Sequence, residues 1–296
     1  MTYSALKGLE RDPDGFNRRD NSDIIKVGDL YYVWYSKMNQ RLEPTISNIW
    51  YATSPDGHVW TEKGQCLTAG KSGAWDDRYV YTPGILVADE KYYLFYTGQS
   101  TTPRQVQDFT GNYRGIGIAV SDSADGPWTK LPSNPVLLPS DNPEDFDSHV
   151  VDDSSLIIRD GKYWLYYKGR QIGKGPTETK MGVAIAENPE GPYVKHPLNP
   201  LAKGGHEVLV WPEGKGVAAL VGMKLGEAVP FYLMYAEDGL HFKKTGKISN
   251  ENSPWAPGAY RPEAFTESNQ GERMRWGLHI GGERPDLFLE RFELAK

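Results

Sequence analysis

The chain has 296 residues, a net charge of −6 and an apolar fraction of 39%, a composition typical of a folded protein with a large core. The acidic balance argues against nucleic-acid binding, and no apolar run approaches the ~18 residues of a membrane span. The single cysteine, Cys66, excludes an internal disulfide and a cysteine metal cluster. Residues 1–6 lack the features of a signal peptide, so we expect a cytoplasmic protein, or a periplasmic one if a leader was removed.

One pattern recurs along the chain, in which an apolar run, a turn with Asp or Gly and an aromatic-rich strand follow one another. The clearest copies are residues 24–36, 85–97 and 156–168, and weaker ones cover residues 208–242 and 262–294. Each copy continues into further strands and turns, so the repeat length is about fifty to seventy residues. Dense turn signals between alternating strands are typical of four-stranded propeller blades.

The repeats predict an all-β protein, a five-bladed β-propeller that forms one domain over residues 1–296. A double sandwich is the main alternative, but it does not explain the repetition. We expect the last strand, at residues 287–292, to share a blade with the N-terminal segment and to close the ring.

Acidic residues stand where the first strand of a repeat begins. In a propeller this strand lines the axis, so residues at its start face a central cavity. His206 comes directly before one of these acids and ahead of the apolar run 208–211, and residues 78–81 occupy the start of the second repeat. The acidic residues at these starts are Asp20, Asp153, Glu207 and Glu263.

Carboxyl groups that face each other across a cavity suit glycoside hydrolysis. One group protonates the leaving oxygen, and another activates water or attacks the anomeric carbon. Aromatic side chains stack on sugar faces, and Trp75 and Tyr81 lie in segments where they could do so. His149 could bind a substrate hydroxyl or a metal, although a hydrogen-bonded loop histidine is the simpler interpretation.

Structural interpretations compete with these roles. Asp20 could be a turn or salt-bridge acid, Asp153 could cap a turn, and Glu263 could pair with Arg261. The adjacent His206 and Glu207 carry the strongest signal, because polar groups ahead of a buried strand are costly unless they are paired or used.

A series of short motifs resembles glycoside hydrolase family 117, the α-1,3-L-neoagarooligosaccharide hydrolases of agar breakdown, whose fold is a five-bladed β-propeller. Each motif is weak alone, but their order along the chain is fairly specific. The matching motifs are Arg-Arg-Asp-Asn-Ser at 18–22, Ser-Gly-Ala-Trp-Asp at 72–76, Gly-Pro-Trp-Thr-Lys at 126–130, Phe-Asp-Ser-His at 146–149, Tyr-Tyr-Lys-Gly at 166–169, Gly-Val-Ala-Ile-Ala at 182–186, Gly-His-Glu-Val at 205–208, Val-Trp-Pro at 210–212, Ala-Glu-Asp-Gly at 236–239 and Arg-Pro-Glu-Ala at 261–264.

The resemblance implies an exo-acting, inverting hydrolase that releases 3,6-anhydro-L-galactose from the non-reducing end. It implies Asp20 as general base, Asp153 as the acid that tunes a pKa and holds the sugar, and either His206 or Glu207 as proton donor. An imidazolium beside two carboxylates has a raised pKa, and a desolvated glutamate also keeps its proton. The residues that we expect to bind the oligosaccharide substrate are Asn21, Trp75, Arg78, Tyr81, His149, Lys168, Arg261 and Glu263.

Two departures from the family pattern stand out. Only seventeen residues precede Arg18, so we do not expect the family's helix-swapped dimer and predict a monomer or a small homo-oligomer. Asp152-Asp153-Ser154 replaces His-Asp-Pro, and the added charge of Asp152 could disfavour acidic or sulfated substrates or alter linkage preference.

Two other functions stay open. One is a family 43-like α-L-arabinofuranosidase or β-xylosidase, which uses three acids, and the other is a non-catalytic carbohydrate-binding propeller. We expect no cofactor and no metal, with a divalent cation near the propeller axis as the open alternative, since no motif has metal-site spacing.

Overall fold

A computed structural model describes residues 1–39, 45–223, 229–248, 253–261 and 274–294. These ranges are almost entirely strands and turns, with one short 3-10 helix, Pro176–Glu178, and they confirm the predicted all-β class. None of their helical segments is long and apolar enough to cross a membrane.

The strands fall into five consecutive groups, in which chain neighbours are mostly antiparallel. After β1 (Thr2–Ala5), the first group is β2 (Asn17–Arg19), β3 (Ile24–Val27), β4 (Leu30–Asn39), β5 (Ile46–Ser54) and β6 (Thr61–Leu67). The second group is β7 (Tyr79–Ala88), β8 (Lys91–Gln99), the separate hairpin β9 (Arg104–Val106) and β10 (Phe109–Gly111), β11 (Arg114–Ser121) and β12 (Thr129–Lys130). The third group is β13 (Val150–Arg159), β14 (Lys162–Arg170), β15 (Lys180–Ala186), β16 (Val194–Lys195) and β17 (Ala202–Lys203).

The last two groups complete the chain. The fourth is β18 (Glu207–Glu213), β19 (Gly216–Met223), β20 (Val229–Ala236) and β21 (Lys243–Ile248). The fifth is β22 (Gly258–Arg261), β23 (Trp276–Glu283) and β24 (Asp286–Glu293). β24 pairs with β1, with Thr2 opposite Glu293, which confirms that the last strand shares a sheet with the N-terminal segment.

Parallel contacts join some of these groups into larger sheets. β22 runs parallel to β3, with Tyr260 opposite Ile24, and makes one nine-stranded sheet of the first and fifth groups. β11 meets β13 at Arg114 and Val150 and makes a second nine-stranded sheet of the second and third groups. The fourth group is a four-stranded sheet of its own.

Aromatic residues of β4, β8 and β14 fill the core. Trp34, Tyr35, Phe95, Tyr96 and Tyr167 are all fully buried. These strands are buried on both faces, and therefore apolar residues occupy successive positions instead of alternating ones. Each such side chain stabilises the fold by about 1.5–3 kcal/mol through burial alone.

Non-glycine residues with positive φ mark the starts of four first strands. They are Asp20 (φ 49°), Thr82 (φ 45°), Asp153 (φ 52°) and Ala256 (φ 45°). The ladders β7–β8 and β13–β14 shift register at Thr82 and Asp153. A left-handed conformation costs an L-residue about 1–2 kcal/mol and persists where the surroundings fix it, often at a functional site. The strained residues all line one cavity.

Candidate active site

A single cavity collects the first strand, or the segment just before it, from all five groups. The space inside it is about 520 Å³ when its solvent-open mouth is included. The lining residues are 20–23, 82–85, 153–156, 207–209 and 256–258. The structure therefore brings together the carboxyl groups that the sequence predicted at three separate repeats.

Asp20 lies between β2 and β3 and is 9% exposed. The guanidinium of Arg19 donates to it twice, from Nε to Oδ2 at 2.6 Å and from Nη2 to Oδ1 at 3.1 Å. A bidentate pair of this kind fixes the plane of the carboxylate. Asp20 is thus held as an oriented acceptor at the cavity wall.

Asp153 shares Lys168 with its neighbour Asp152. The Lys168 ammonium donates to Asp153 Oδ2 and lies 3.3 Å from Asp152 Oδ1, while Arg114 Nη1 donates to Asp152 Oδ2 at 3.0 Å. Burial raises the pKa of Asp153 to about 6 against the opposing effect of Lys168, and the negative charges of Asp152 and Asp20 add to the rise. Burial also opposes ionisation of Asp152, but Lys168 and Arg114 outweigh it and lower its pKa.

Glu207 opens β18 and is 5% exposed. Burial raises its pKa well above the usual range, and the carboxylates of Asp153 and Asp20 raise it further, whereas Lys168 and Arg19 oppose the shift without cancelling it. Glu207 therefore keeps its proton at pH values where an ordinary glutamate has lost it. That state is what a general acid needs.

His206 differs from the expectation of a charged imidazolium. Burial lowers its pKa to about 3, and the positive charge of Lys168 lowers it as well, so the effect of Asp152 in the other direction is overcome. Its Nδ1 lies 3.2 Å from Thr179 Oγ1, and the residue is outside the cavity lining. The prediction that neighbouring carboxylates keep His206 protonated was wrong, because burial and a nearby ammonium dominate.

Two aromatic residues that were predicted to stack on sugar pack against protein side chains instead. Trp75 stacks on Tyr96 with ring centroids 5.7 Å apart, and a Cβ at Gly117 would lie 2.6 Å from the indole. Tyr81 is 8% exposed, with the guanidinium carbon of Arg114 5.5 Å from its ring centroid. Neither lines the cavity, because core and cation contacts already occupy their faces.

Two other residues that were predicted to contact substrate also lie away from the cavity. Arg78 is exposed, with its guanidinium carbon 5.4 Å from the ring centroid of Tyr79. His149 Nε2 lies 3.0 Å from the carbonyl oxygen of Asn112, as the simpler interpretation of a bonded loop histidine expects. Glu263 lies outside the described residues.

Arg261 ties strands together below the cavity and does not line it. Its Nη1 donates to Asp23 Oδ2 at 3.0 Å and to the Val210 carbonyl at 2.9 Å, and its Nη2 donates to the Leu156 carbonyl at 2.8 Å. These partners belong to the first, fourth and third groups, while Arg261 itself ends β22. The predicted role in substrate binding is therefore replaced by a buried tie, because a guanidinium inside the protein needs its donors satisfied.

The remaining two predicted residues lie at or just behind the cavity. Asn21 lines it, and its Nδ2 donates to the carbonyls of Ser22 at 2.9 Å and Leu278 at 3.2 Å. Lys168 is buried behind Asp153 and acts on the cavity through that carboxylate. Within the described ranges no three His, Cys, Asp or Glu side chains are arranged to hold a metal ion, and the expectation of no cofactor stays a prediction.

Sequence reasoning missed residues 82–84 and 256–258, which line the cavity from the second and fifth groups. In both segments Pro-Gly occupies the two positions that correspond to the residues after Asp20 and Asp153. An alignment of the five repeats would therefore have located them. A Cβ at Gly258 would lie 2.0 Å from the Ser22 carbonyl oxygen. Glycine is required there because the strands approach so closely.

Comparison with known proteins gives the family. The model of glycosyl hydrolases family 43 matches residues 15–279. A probable arabinan endo-1,5-α-L-arabinosidase C of Aspergillus clavatus is 27% identical over 200 residues, and one of Aspergillus fumigatus is 26% identical over the same length. Both alignments cover 59% of this chain and 56% of the relative, so the chain spans about half the length of the curated relatives that it matches.

Solved structures agree with the family model. A family 117 glycoside hydrolase of the marine bacterium Zobellia galactanivorans superimposes with a TM-score of 0.85 at 31% identity, covering 99% of this chain and 89% of the other. An endo-arabinase of Bacteroides thetaiotaomicron superimposes with a TM-score of 0.66 at 15% identity, covering 99% and 98%, and shares the fold. The chain is therefore a glycoside hydrolase that belongs to family 117 and, with it, to the wider set of hydrolases described by the family 43 model.

Proposed function

We propose that this hydrolase is exo-acting and releases α-1,3-linked 3,6-anhydro-L-galactose, or a related sugar, from the non-reducing end of red-algal galactan oligosaccharides with inversion. The observation that carries the proposal is one cavity holding three carboxyl groups in unlike surroundings. The family 117 motifs around Asp20 and Glu207 support the choice of sugar.

Each carboxyl group has a separate task in the proposed reaction. Glu207 gives its proton to the glycosidic oxygen as that bond breaks, and Asp20 accepts a proton from the water that attacks the anomeric carbon from the opposite face. Asp153 stays beside Glu207, where its negative charge helps to keep the Glu207 pKa high. One water is consumed, and both protonation states are restored when Asp20 loses and Glu207 regains a proton.

We also propose that the five strand groups are the blades of a five-bladed propeller. Two observations support this arrangement. The cavity is lined by residues near the start of every group, and the N-terminal β1 completes the group that ends the chain. A cavity at the axis of such a ring is open at one end, which suits removal of a terminal sugar.

An arabinose-releasing or arabinan-cleaving enzyme is the second candidate. The match to the family 43 model and to probable arabinanases favours it. In that case Asp20, Asp153 and Glu207 keep the roles of base, pKa modulator and acid, and the sugar is a pentose.

The test is product analysis by NMR with neoagarobiose, larger neoagaro-oligosaccharides, 1,5-arabino-oligosaccharides, and aryl arabinosides and xylosides. Release of 3,6-anhydro-L-galactose by the wild type and not by Asp20→Asn supports the proposal, and the anomer seen first reports inversion. Turnover of the pentosides alone favours the second candidate. Sugar binding without turnover, unchanged in Asp20→Asn, would indicate a non-catalytic carbohydrate-binding protein.

A further inference from the structure

A cluster of basic and phenolic side chains lies next to the carboxylate cavity. We call Tyr81, Arg114 and Arg170 the cationic cluster. Arg114 begins β11, and its guanidinium carbon lies 5.5 Å from the ring centroid of Tyr81. Arg170 ends β14, two residues after Lys168, and is close enough to Arg114 for the like charge to affect its pKa.

The cluster carries more positive than negative charge. Lys168 is shared between Asp152 and Asp153, and Arg114 takes the second oxygen of Asp152. Arg170 forms no ion pair with any acidic residue in the described ranges, so three cations face two carboxylates there. Burial lowers the Arg170 pKa and Arg114 lowers it further, and the opposing effect of the Asp152 carboxylate does not cancel them.

Two hydrogen-bond donors of the cluster are also unused. Arg170 Nε and Tyr81 Oη are buried, and neither has a hydrogen-bond partner within the described part of the chain. Buried polar groups are nearly always paired, so such donors indicate a missing acceptor. Guanidinium groups match the planar, two-oxygen edge of carboxylates and sulfates better than any neutral group.

The cluster is connected to the cavity through consecutive residues. Asp153 lines the cavity, whereas Asp152 faces Arg114, and Lys168 bridges the two carboxylates. The side chain of Arg114 is 32% exposed, and therefore a group entering from solvent can reach it. An anion held here would adjoin the sugar whose bond is broken.

We propose that Tyr81, Arg114 and Arg170 form a subsite for an anionic oxygen substituent, a carboxylate or a sulfate ester, on the oligosaccharide substrate. This inference rests on the proposed function, since it names the class of sugar chain that the same site takes. It also reverses the sequence-based expectation that Asp152 disfavours acidic substrates. Asp152 is neutralised by Arg114 and Lys168, and the surplus charge of Arg170 remains.

The test measures binding without turnover. Titration calorimetry at fixed ionic strength compares galacturonic acid, galactose 6-sulfate and galactose on the Glu207→Gln protein, into which further substitutions are introduced. We expect at least one anionic sugar to bind about tenfold more tightly than galactose, since charge-assisted hydrogen bonds are the strong ones. Arg170→Gln should abolish this preference, and Tyr81→Phe, which removes one hydroxyl, should reduce it several-fold.

The matched control is Lys174→Gln, which removes an exposed positive charge that pairs with Glu178 and should leave the preference unchanged. Tighter binding of galacturonic acid alone identifies a carboxylate substituent, and tighter binding of the sulfate alone identifies a sulfate ester. Equal binding of all three sugars, no binding of either anion, or a preference that survives both Arg170→Gln and Tyr81→Phe overturns the proposal. Calorimetry does not require hydrolysis, so failure of the proposed reaction on neoagaro-oligosaccharides is recognised separately.

Discussion

The assignment of Glu207 as proton donor predicts a leaving-group effect that His206 does not share. Glu207→Gln replaces a protonated carboxyl by an amide of the same shape, so the fold should be retained. Removing a general acid costs about 10²–10⁴ in rate, or about 3–5 kcal/mol of activation free energy at 1.36 kcal/mol per factor of ten. Glu207 is only 5% exposed, so water cannot easily replace its proton, and we expect the upper half of that range.

The assay compares two substrates with the same released sugar. One is the natural oligosaccharide, whose alkoxide leaving group needs a proton, and the other is a 2,4-dinitrophenyl glycoside, whose phenolate leaves without one. For Glu207→Gln we expect kcat on the oligosaccharide to fall by about 10³–10⁴ and kcat on the aryl glycoside by less than about tenfold. His206→Gln should lower both rates equally and by less than about tenfold, because it removes contacts with Thr179 and the Pro176 backbone that lie outside the cavity lining.

The pH dependence of kcat/KM is a second test of the same prediction. Glu207 must be protonated to act, so wild-type kcat/KM should fall as the pH rises through its raised pKa. This falling limb should be absent from Glu207→Gln and unchanged in His206→Gln. The assignment would be refuted if His206→Gln lost kcat on the oligosaccharide but not on the aryl glycoside, while Glu207→Gln kept both rates. The general acid would then be the histidine.

Three further predictions follow from other contacts. Asp153→Asn removes a negative charge beside Glu207, so the Glu207 pKa should drop. The falling limb of the kcat/KM profile should then move to lower pH by about one unit. A limb at the same pH would contradict an effect of the Asp153 charge on the Glu207 pKa. Trp75→Ala should lower the free energy of unfolding by about 3–5 kcal/mol in urea titrations while KM stays constant, because Trp75 packs on Tyr96 and not on sugar. Arg261→Met removes the ion-pair partner of the buried Asp23 and should cost about 3–5 kcal/mol in the same titration. An increase in KM without this loss of stability would instead indicate that Arg261 binds substrate.

Local patterns in the sequence predicted the strands well. The repeat at 156–168 falls on β13 and β14, and the repeat at 24–36 falls on β3 and β4. Turn chemistry and runs of apolar residues are properties of a few neighbouring residues, so they are visible without the fold. The same repeats placed Asp20, Asp153 and Glu207 at equivalent positions, which is why their convergence could be expected.

Contacts between distant parts of the chain were not visible in the same way. Arg261 bonds Leu156 and Asp23, which are 105 and 238 residues away, and nothing near Arg261 in the sequence indicates either partner. The low pKa of His206 depends on burial and on Lys168, which comes from another strand. Adjacent residues in the sequence suggested a histidine paired with carboxylates, whereas three-dimensional packing placed an ammonium there.

The five strand starts are equivalent in position but differ in chemistry, and this difference is what the two opposite proton transfers of the proposed reaction require. The third and fourth groups contribute Asp153 and Glu207, and burial together with the charge of Asp153 raises the Glu207 pKa. Among the described residues that line the cavity, the second and fifth groups contribute segments with Pro-Gly, at 82–84 and 256–258, and no carboxyl group. Asp20 enters from the first group and is oriented by its own partner, Arg19. The proposed acid and base therefore differ because their neighbours differ, although both are carboxyl groups on the same repeated element.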